Sequence, residues 1–288
     1  MTTAAPLTVG ALLRNWRERR GLSQLELAGR ADSSSRHISF VETGRSRPSE
    51  EMVLRLADRL DVPVRDRNAL LVAAGYAPRY AHTPLDDPSM EVLREGLERL
   101  LAAYEPYPAL VVDATYGVVA ANRGIMMLME GLPEHLLAGP LNAMRLTLHP
   151  EGLAPRIRNL REWRGHLLAQ MERQIALARS APLRALYEEV AAYPLPTGAA
   201  GAGEDGPHGE GPYQDGPHGD EPYQDGPVEA VAYLALPLRI EHDGHLLSFV
   251  SSISTFNTPM DVTVAELAIE TLLPADPATV KYLRSLAP

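Results

Sequence analysis

Over the first seventy-five residues, apolar positions recur three or four apart in five short runs. That period predicts helices with one buried face each. Val9, Leu12, Leu13 and Trp16 form the first run, which Thr8 can cap and Gly21 ends. The second starts at Ser23 and carries Glu26 three residues on. This is the spacing of a capping box, in which the hydroxyl and the carboxylate each accept from an otherwise orphaned amide. Leu27, Ala28 and Ala31 are its inward face. Ser34 opens a third helix with Ile38 and Val41 buried and Gly44 at its end. Ser49 opens a fourth with Val53, Leu56, Ala57 and Leu60 on one face, and a fifth covers residues 64–74 before Gly75.

The pattern then changes. Residues 76–88 hold three prolines and little periodicity, and are read as a linker between a first domain, 1–75, and a second, 89–288. Ser89 is expected to cap a helix bearing Leu93, Leu97, Leu100, Leu101 and Tyr104. Strands are expected at 109–113 and 117–121, then helices over 123–192 broken near Pro133, Pro140, Pro150 and Pro182. In 205–224 a ten-residue unit beginning Asp-Gly-Pro-His-Gly occurs twice. Gly and Pro at that density hold neither helix nor ladder, so 194–227 is read as a disordered insertion. Three further strands are expected at 231–240, 245–256 and 265–273. Asp243-Gly244 forms a hairpin turn between the first two, and Asp276 with Pro277 starts a last helix. Two strands, helices, then three strands suit a small antiparallel sheet with helices grouped on one face.

Charge separates the same two regions. The chain of 288 residues carries −10 overall, yet residues 1–80 hold thirteen arginines against nine acids, a net +4 that leaves −14 on the rest. A basic head on an acidic body is what phosphate contact by one domain would produce. The chain has no cysteine, which excludes disulfides, thiolate metal sites and cysteine nucleophiles. No apolar run approaches the ~20 residues that span a bilayer, and the N-terminal residues lack the order of a secretory signal. A cytoplasmic protein without a membrane partner is the expectation. None of the common catalytic motifs is present, so no enzymatic activity is expected. The histidine pairs 242/245 and 208/218 are read as solvated rather than as metal ligands.

Two short helices with a three- to four-residue gap can set the second into the major groove of duplex DNA. The start of that second helix would face base edges. This makes Ser34, Ser35, Arg36, His37 and, one turn on, Phe40 the candidate contacts, with Arg36 suited to the paired acceptors of guanine. Gln24, Arg45 and Arg47 stand where phosphates would run. The residues Leu22-Ser23-Gln24, Leu27-Ala28, Ile38-Ser39, Val41-Glu42, Gly44 and Pro48 resemble the Cro-type (XRE) helix-turn-helix family over most of 9–62. The resemblance implies that Gln24, Ser35 and Arg36 touch DNA and that Arg17 pairs with Glu42 between helices. The chain departs from the family at Ser33, where an aliphatic residue is usual, and at Asp32, where glycine is common.

Residues 90–286 resemble the ligand-binding domain of MmyB-like regulators. The resemblance is carried by segments such as Pro108–Asp113, Val119–Asn122, His149–Gly152, Leu247–Phe249, Thr258–Thr263 and Leu273–Asp276. It implies a PAS-like pocket whose effector controls DNA affinity. The fold expected is therefore an all-α five-helix helix-turn-helix domain followed by an α+β PAS-like domain, a five-stranded antiparallel sheet with helices. Met126, Met127, Leu146, Trp163 and Phe249 are the candidate pocket residues, since flexible Met side chains suit irregular apolar ligands. The expectation is a homodimeric regulator on a pseudopalindromic operator, answering to a small apolar, fatty-acid-like effector and holding no resident cofactor. The alternative is a ligand-binding or enzymatic protein whose helical head contacts protein instead of DNA. Ordinary core packing is the reading to set against this, and it accounts for the methionines without a ligand.

Overall fold

The structure, a computed structural model, describes residues 8–178, 180–195, 235–257 and 259–286. Among these, residues 8–92 with 255–267 form one compact unit, and 93–254 with 268–286 form another. Most of the expected insertion, and residues 231–234 of the expected third strand, lie outside the described residues.

The first unit is built on five helices, α1 (Val9–Arg19), α2 (Gln24–Arg30), α3 (Ser35–Glu42), α4 (Glu50–Arg59) and α5 (Val64–Ala73). Their starts are where the sequence places them. Thr8, Ser23, Ser34 and Ser49 each accept from a first-turn amide, and Ser23 with Glu26 makes both bonds of the capping box. Each such cap is worth about 1 kcal/mol. One contiguous core joins Leu13, Trp16, Leu27, Ile38, Val41, Val53, Leu56, Leu60, Leu70 and Leu71.

Residues 76–88 do not behave as a free linker. Tyr76 Oη donates to Pro48 O, while the Asn68 side chain bonds the backbone of Arg79 and Tyr80. Farther on, Ala81 pairs with Asp261, and Thr83 donates to the Asp261 carboxylate. Asp261 in turn caps a short helix, α12 (Val262–Glu266), inside the same unit. The Ser89 cap is also replaced: Asp87 accepts from Ser89 N and Oγ and starts a 3-10 turn, Pro88–Met90, that leads into α6 (Glu91–Ala103). A carboxylate two residues upstream outcompetes the hydroxyl because it bonds that serine itself.

In the second unit β1 (Ala109–Val112), β2 (Val118–Ala121), β3 (Leu238–His242), β4 (His245–Thr255) and β5 (Ala268–Pro274) form one antiparallel sheet in the order β2-β1-β5-β4-β3. The turn between β3 and β4 is Asp243-Gly244, both at positive φ (46° and 75°), the conformation that tight hairpins require. Two strand starts differ from expectation by more than one residue. Residues 235–237 are not extended ladder, so β3 starts at Leu238, and residues 265–266 belong to α12 because Asp261 caps a helix there. Between β2 and β3 the chain folds into α7 (Arg123–Met129), α8 (Glu134–Leu137), α9 (Ala143–Leu148), α10 (Leu160–Ala178) and α11 (Ala181–Ala191), and α13 (Pro277–Leu286) ends it. These helices and the sheet share a core in which Leu110, Trp163, Met171, Ile240, Leu247 and Phe249 are buried.

Candidate functional site

The turn from α2 to α3 takes its shape from the backbone. Ala31 ends α2, Asp32 turns left-handed at φ 50°, and Ser33 N returns to Ala28 O at 2.9 Å. This closure satisfies carbonyls at the helix end, although an Asp rather than a Gly must adopt the strained conformation. Beneath it lies a buried ion pair. Arg17 Nε and Nη2 donate to the two Glu42 oxygens at 2.6 and 2.9 Å, and Nη1 donates to Leu22 O at 2.7 Å. The bonds from Glu42 raise the Arg17 pKa against the cost of burial. Breaking such a pair on one side costs about 3–5 kcal/mol; it locks α1, the α2 entry and α3 together.

Gln24 belongs to this lock. Its amide donates to Glu42 Oε2 at 2.9 Å, which spends one of its two amide hydrogens and fixes the side chain over the pair. At the start of α3, Ser34 is exposed but its oxygen is engaged by His37 N at 3.1 Å. Arg36 and Arg45 are exposed, and their guanidinium carbons lie 5.3 and 5.9 Å from the Phe40 ring centroid. Phe40 thus serves as a half-buried platform holding two cations on one surface, a stabilising arrangement of cation over ring. Ser35 and His37 are half-buried beside it. Arg47 also bonds within the head. Its Nε donates to Ala74 O at 2.9 Å and its Nη2 to Gly75 O at 3.3 Å, with the head group over Tyr76. It closes the C-terminus of α5, where carbonyls lack helical partners, while the residue itself stays exposed.

The second unit contains a partly open cavity of about 80 Å³. Its wall comes from Ile125, Leu128 and Met129 of α7, Met144 and Leu146 of α9, Trp163 and Leu167 of α10, Leu238 and Ile240 of β3, and Leu110 and Leu272 of the sheet. One carboxylate joins this apolar wall, Glu270 of β5. Ser251 Oγ donates to its Oε1 at 2.7 Å. Burial pushes the Glu270 carboxyl up, and the serine bond only partly opposes this. Tyr116 Oη donates to Gln174 Oε1 at 2.8 Å; desolvation, with Glu270 as a second cause, pushes its pKa up to about 12.

The family model of the MmyB-like transcription regulator ligand binding domain matches residues 93–286, more than half of the chain. The chain belongs to the MmyB-like transcription regulators. A helix-turn-helix domain matches residues 8–70 of this regulator. Together the two domains make it a DNA-binding transcription regulator with a site for a small effector. Both are regulatory families rather than enzymatic ones. Among solved structures, a crystal structure of the clp gene regulator ClgR from Corynebacterium glutamicum is 28% identical over 26% of this chain and 92% of that chain, with a TM-score of 0.22. A second crystal structure of ClgR from that organism is 26% identical over 36% and 97%, also at 0.22. No curated protein matches.

In this MmyB-like regulator the candidate pocket residues separate. Leu146 and Trp163 line the cavity, whereas Met126, Met127 and Phe249 do not. Met126 is 55% exposed because it falls on the outer face of α7 while Ile125, Leu128 and Met129 face inward. Met127 packs against the core from outside the cavity, and its carbonyl bonds His242. Phe249 is fully buried and fills core volume instead of bounding space. His242 is likewise not solvated. It is buried between Tyr282 Oη, 2.7 Å away, and that Met127 carbonyl. Among the described residues no helix is long and apolar enough to cross a membrane and no group of acids and histidines could hold a metal ion. Glu270 was missed from the sequence. The available signal was a lone acid at an inward position of an otherwise apolar strand.

Proposed function

We propose that the regulator reads a specific operator through the start of α3, with Arg36 as its principal base contact. The supporting observation is the surface on which Arg36 and Arg45 flank Phe40, exposed at the entry of the second helix of a helix-turn-helix in a basic head. Ser34, Ser35 and His37 extend that surface. Gln24 and Arg45 supply phosphate contacts, Gln24 in the orientation that Glu42 gives it. We take the protein to act as a homodimer in the cytoplasm, with two recognition helices about 34 Å apart on a pseudopalindrome. We take residues 1–75 as the DNA-binding domain and 89–288 as the effector domain.

The effector we propose is small and apolar, of the acyl-chain kind. The apolar wall supports this, as does the presence of Met129 and Met144 in it, since methionine adapts to irregular ligands. At about 80 Å³ the cavity is smaller than the roughly 300–1,000 Å³ of sites for drug-sized ligands. A chain of more than a few methylenes therefore enters only as these side chains swing aside. Occupancy would shift the operator affinity through unequal binding to two states of the protein.

Selection of bound genomic fragments followed by gel shift tests the DNA half. Affinity should fall steeply with salt. Arg36→Ala should lose about 1–3 kcal/mol of discrimination at one base position. Unchanged site preference in that variant would remove Arg36 from base reading, and no duplex binding at low salt would overturn the DNA-binding role of the head.

A further inference from the structure

The cavity wall carries one carboxylate among its described residues, Glu270, besides the hydroxyl of Thr147, and its chemistry bears on which effectors fit. In β5, Ala268, Glu270 and Leu272 alternate onto the face that meets the core, where Ala268 packs and Leu272 is buried. Leu110 of β1 stands directly opposite Glu270 in the ladder, and Ser251 of β4 bonds it from the other side. The carboxyl is therefore held in the middle of the sheet by strands on both flanks, on the wall of the apolar space. Glu270 in turn acts on Tyr116, from the turn between β1 and β2, helping to raise its pKa, while Arg173 of α10 opposes this. Among the described residues no basic side chain pairs with Glu270.

We propose that Glu270 makes this cavity selective for apolar ligands bearing one uncharged hydrogen-bonding head, such as a hydroxyl or an amide or ester carbonyl, and that it excludes ionised carboxylates. The proposal rests on the effector-cavity reading above and narrows its ligand class. Desolvation in an apolar wall disfavours the charged form of an acid, and the burial of Glu270 acts in that direction. A neutral carboxyl donates one hydrogen bond and accepts others, which matches an alcohol or a carbonyl. A carboxylate ligand would bring a net negative charge into a wall whose described residues include no cation, and burying an unpaired ion costs far more than burying a hydrogen-bonded hydroxyl. An ammonium head would have to ionise Glu270 and form a buried pair, whose desolvation cost rivals its attraction. The fatty-acid-like effector expected from the sequence thus becomes an alkyl chain with a neutral head.

The test uses the full chain at pH 7.5, titrated separately with hexane, 1-hexanol, hexanoate and hexylamine. Carbon-13 methyl signals of Met129 and Met144, both on the cavity wall, report binding. In the wild type, hexanol should bind at least about tenfold more tightly than hexanoate, and hexylamine should not exceed hexanol. The ratio of hexanol to hexane affinity should fall about tenfold in Glu270→Leu, the upper range for one hydrogen bond, and stay within about threefold in Glu270→Gln, which keeps an uncharged donor. Hexanoate or hexylamine binding most tightly, or an unchanged hexanol-to-hexane ratio in Glu270→Leu, would overturn the role of Glu270 while the cavity stands. If none of the four shifts the methionine signals, both the cavity reading and this inference fall. The wild-type ranking alone decides the matter should the leucine variant not fold.

Discussion

Asp32 shows how one residue can be locally wrong and still in place. It adopts φ 50° at the turn between α2 and α3, a conformation that costs an L-residue with a Cβ and costs glycine nothing. Asp tolerates it better than most because of its short polar side chain, and the Ser33–Ala28 bond holds the turn closed. Asp32→Gly should therefore stabilise the head by about 0.5–1 kcal/mol, the relief of strain exceeding the added freedom of the unfolded chain. Urea unfolding checks this, and a lowered midpoint would refute it. The departure at Asp32 could be read from the sequence because it was set against a pattern that favours glycine. The duty of Arg47 could not. An arginine in a loop looks the same whether or not it closes a helix end, and only the position of Ala74 and Gly75 shows that this one does.

At the scale of elements, the head was legible almost throughout because its helices carry local signals: a polar cap, a 3.6-residue apolar period and a terminal glycine. Gly10 lies outside those signals. It sits inside α1, where alanine would ordinarily favour the helix, yet a Cβ there would stand 2.4 Å from Val41 O and 2.7 Å from Glu42 O. The backbones of α1 and α3 meet at this point, so the glycine sets how closely α3 can be held. Gly10→Ala should destabilise the head by about 1–3 kcal/mol, as overpacking does, with propensity recovering less than it costs. Thermal unfolding of the variant reads this, and equal or higher stability would show that the helices separate freely. In the second unit the strands were legible within a few residues, except where α12 replaces the start of the expected last strand. The apolar alternation of 265–273 does not reveal the Asp261 cap that turns its first residues into a helix.

At the scale of the molecule, the segment Thr255–Leu267 is the principal surprise. It lies within the stretch matched by the ligand-binding domain but belongs to the compact unit of the head. Asp261 holds it there, through Thr83 Oγ1 at 2.7 Å, Thr83 N at 3.2 Å and Thr263 N at 2.7 Å. Arg65 adds a two-point pair with Glu266 at 2.6 and 2.9 Å. Burial would raise the Asp261 pKa, but these hydrogen bonds outweigh it and hold the group below its ordinary value. A lowered acid contributes stability above its unfolded pKa and loses it as pH falls through the folded value, so this attachment should loosen on acidification and not at neutral pH. Asp261→Ala should accelerate amide exchange in 79–83 and 259–267 together at pH 7, since both sides of the attachment lose their bonds. Acceleration confined to one of the two would mean that they are held independently.

What the sequence by itself determined was the set of local choices: five capped helices, the Asp243-Gly244 hairpin, the basic head and acidic body, and the residues that mark the two families. Those features depend on neighbours within a few positions, or on composition, and so can be read along the chain. The tertiary structure alone decided where each of two similar side chains lies. Arg36 and Arg45 share the Phe40 platform while Arg47 closes the end of α5, Met129 lines the cavity while Met126 meets solvent, and Glu270 joins an apolar wall. Each of those outcomes depends on atoms contributed from distant parts of the chain, at separations that no period or spacing encodes.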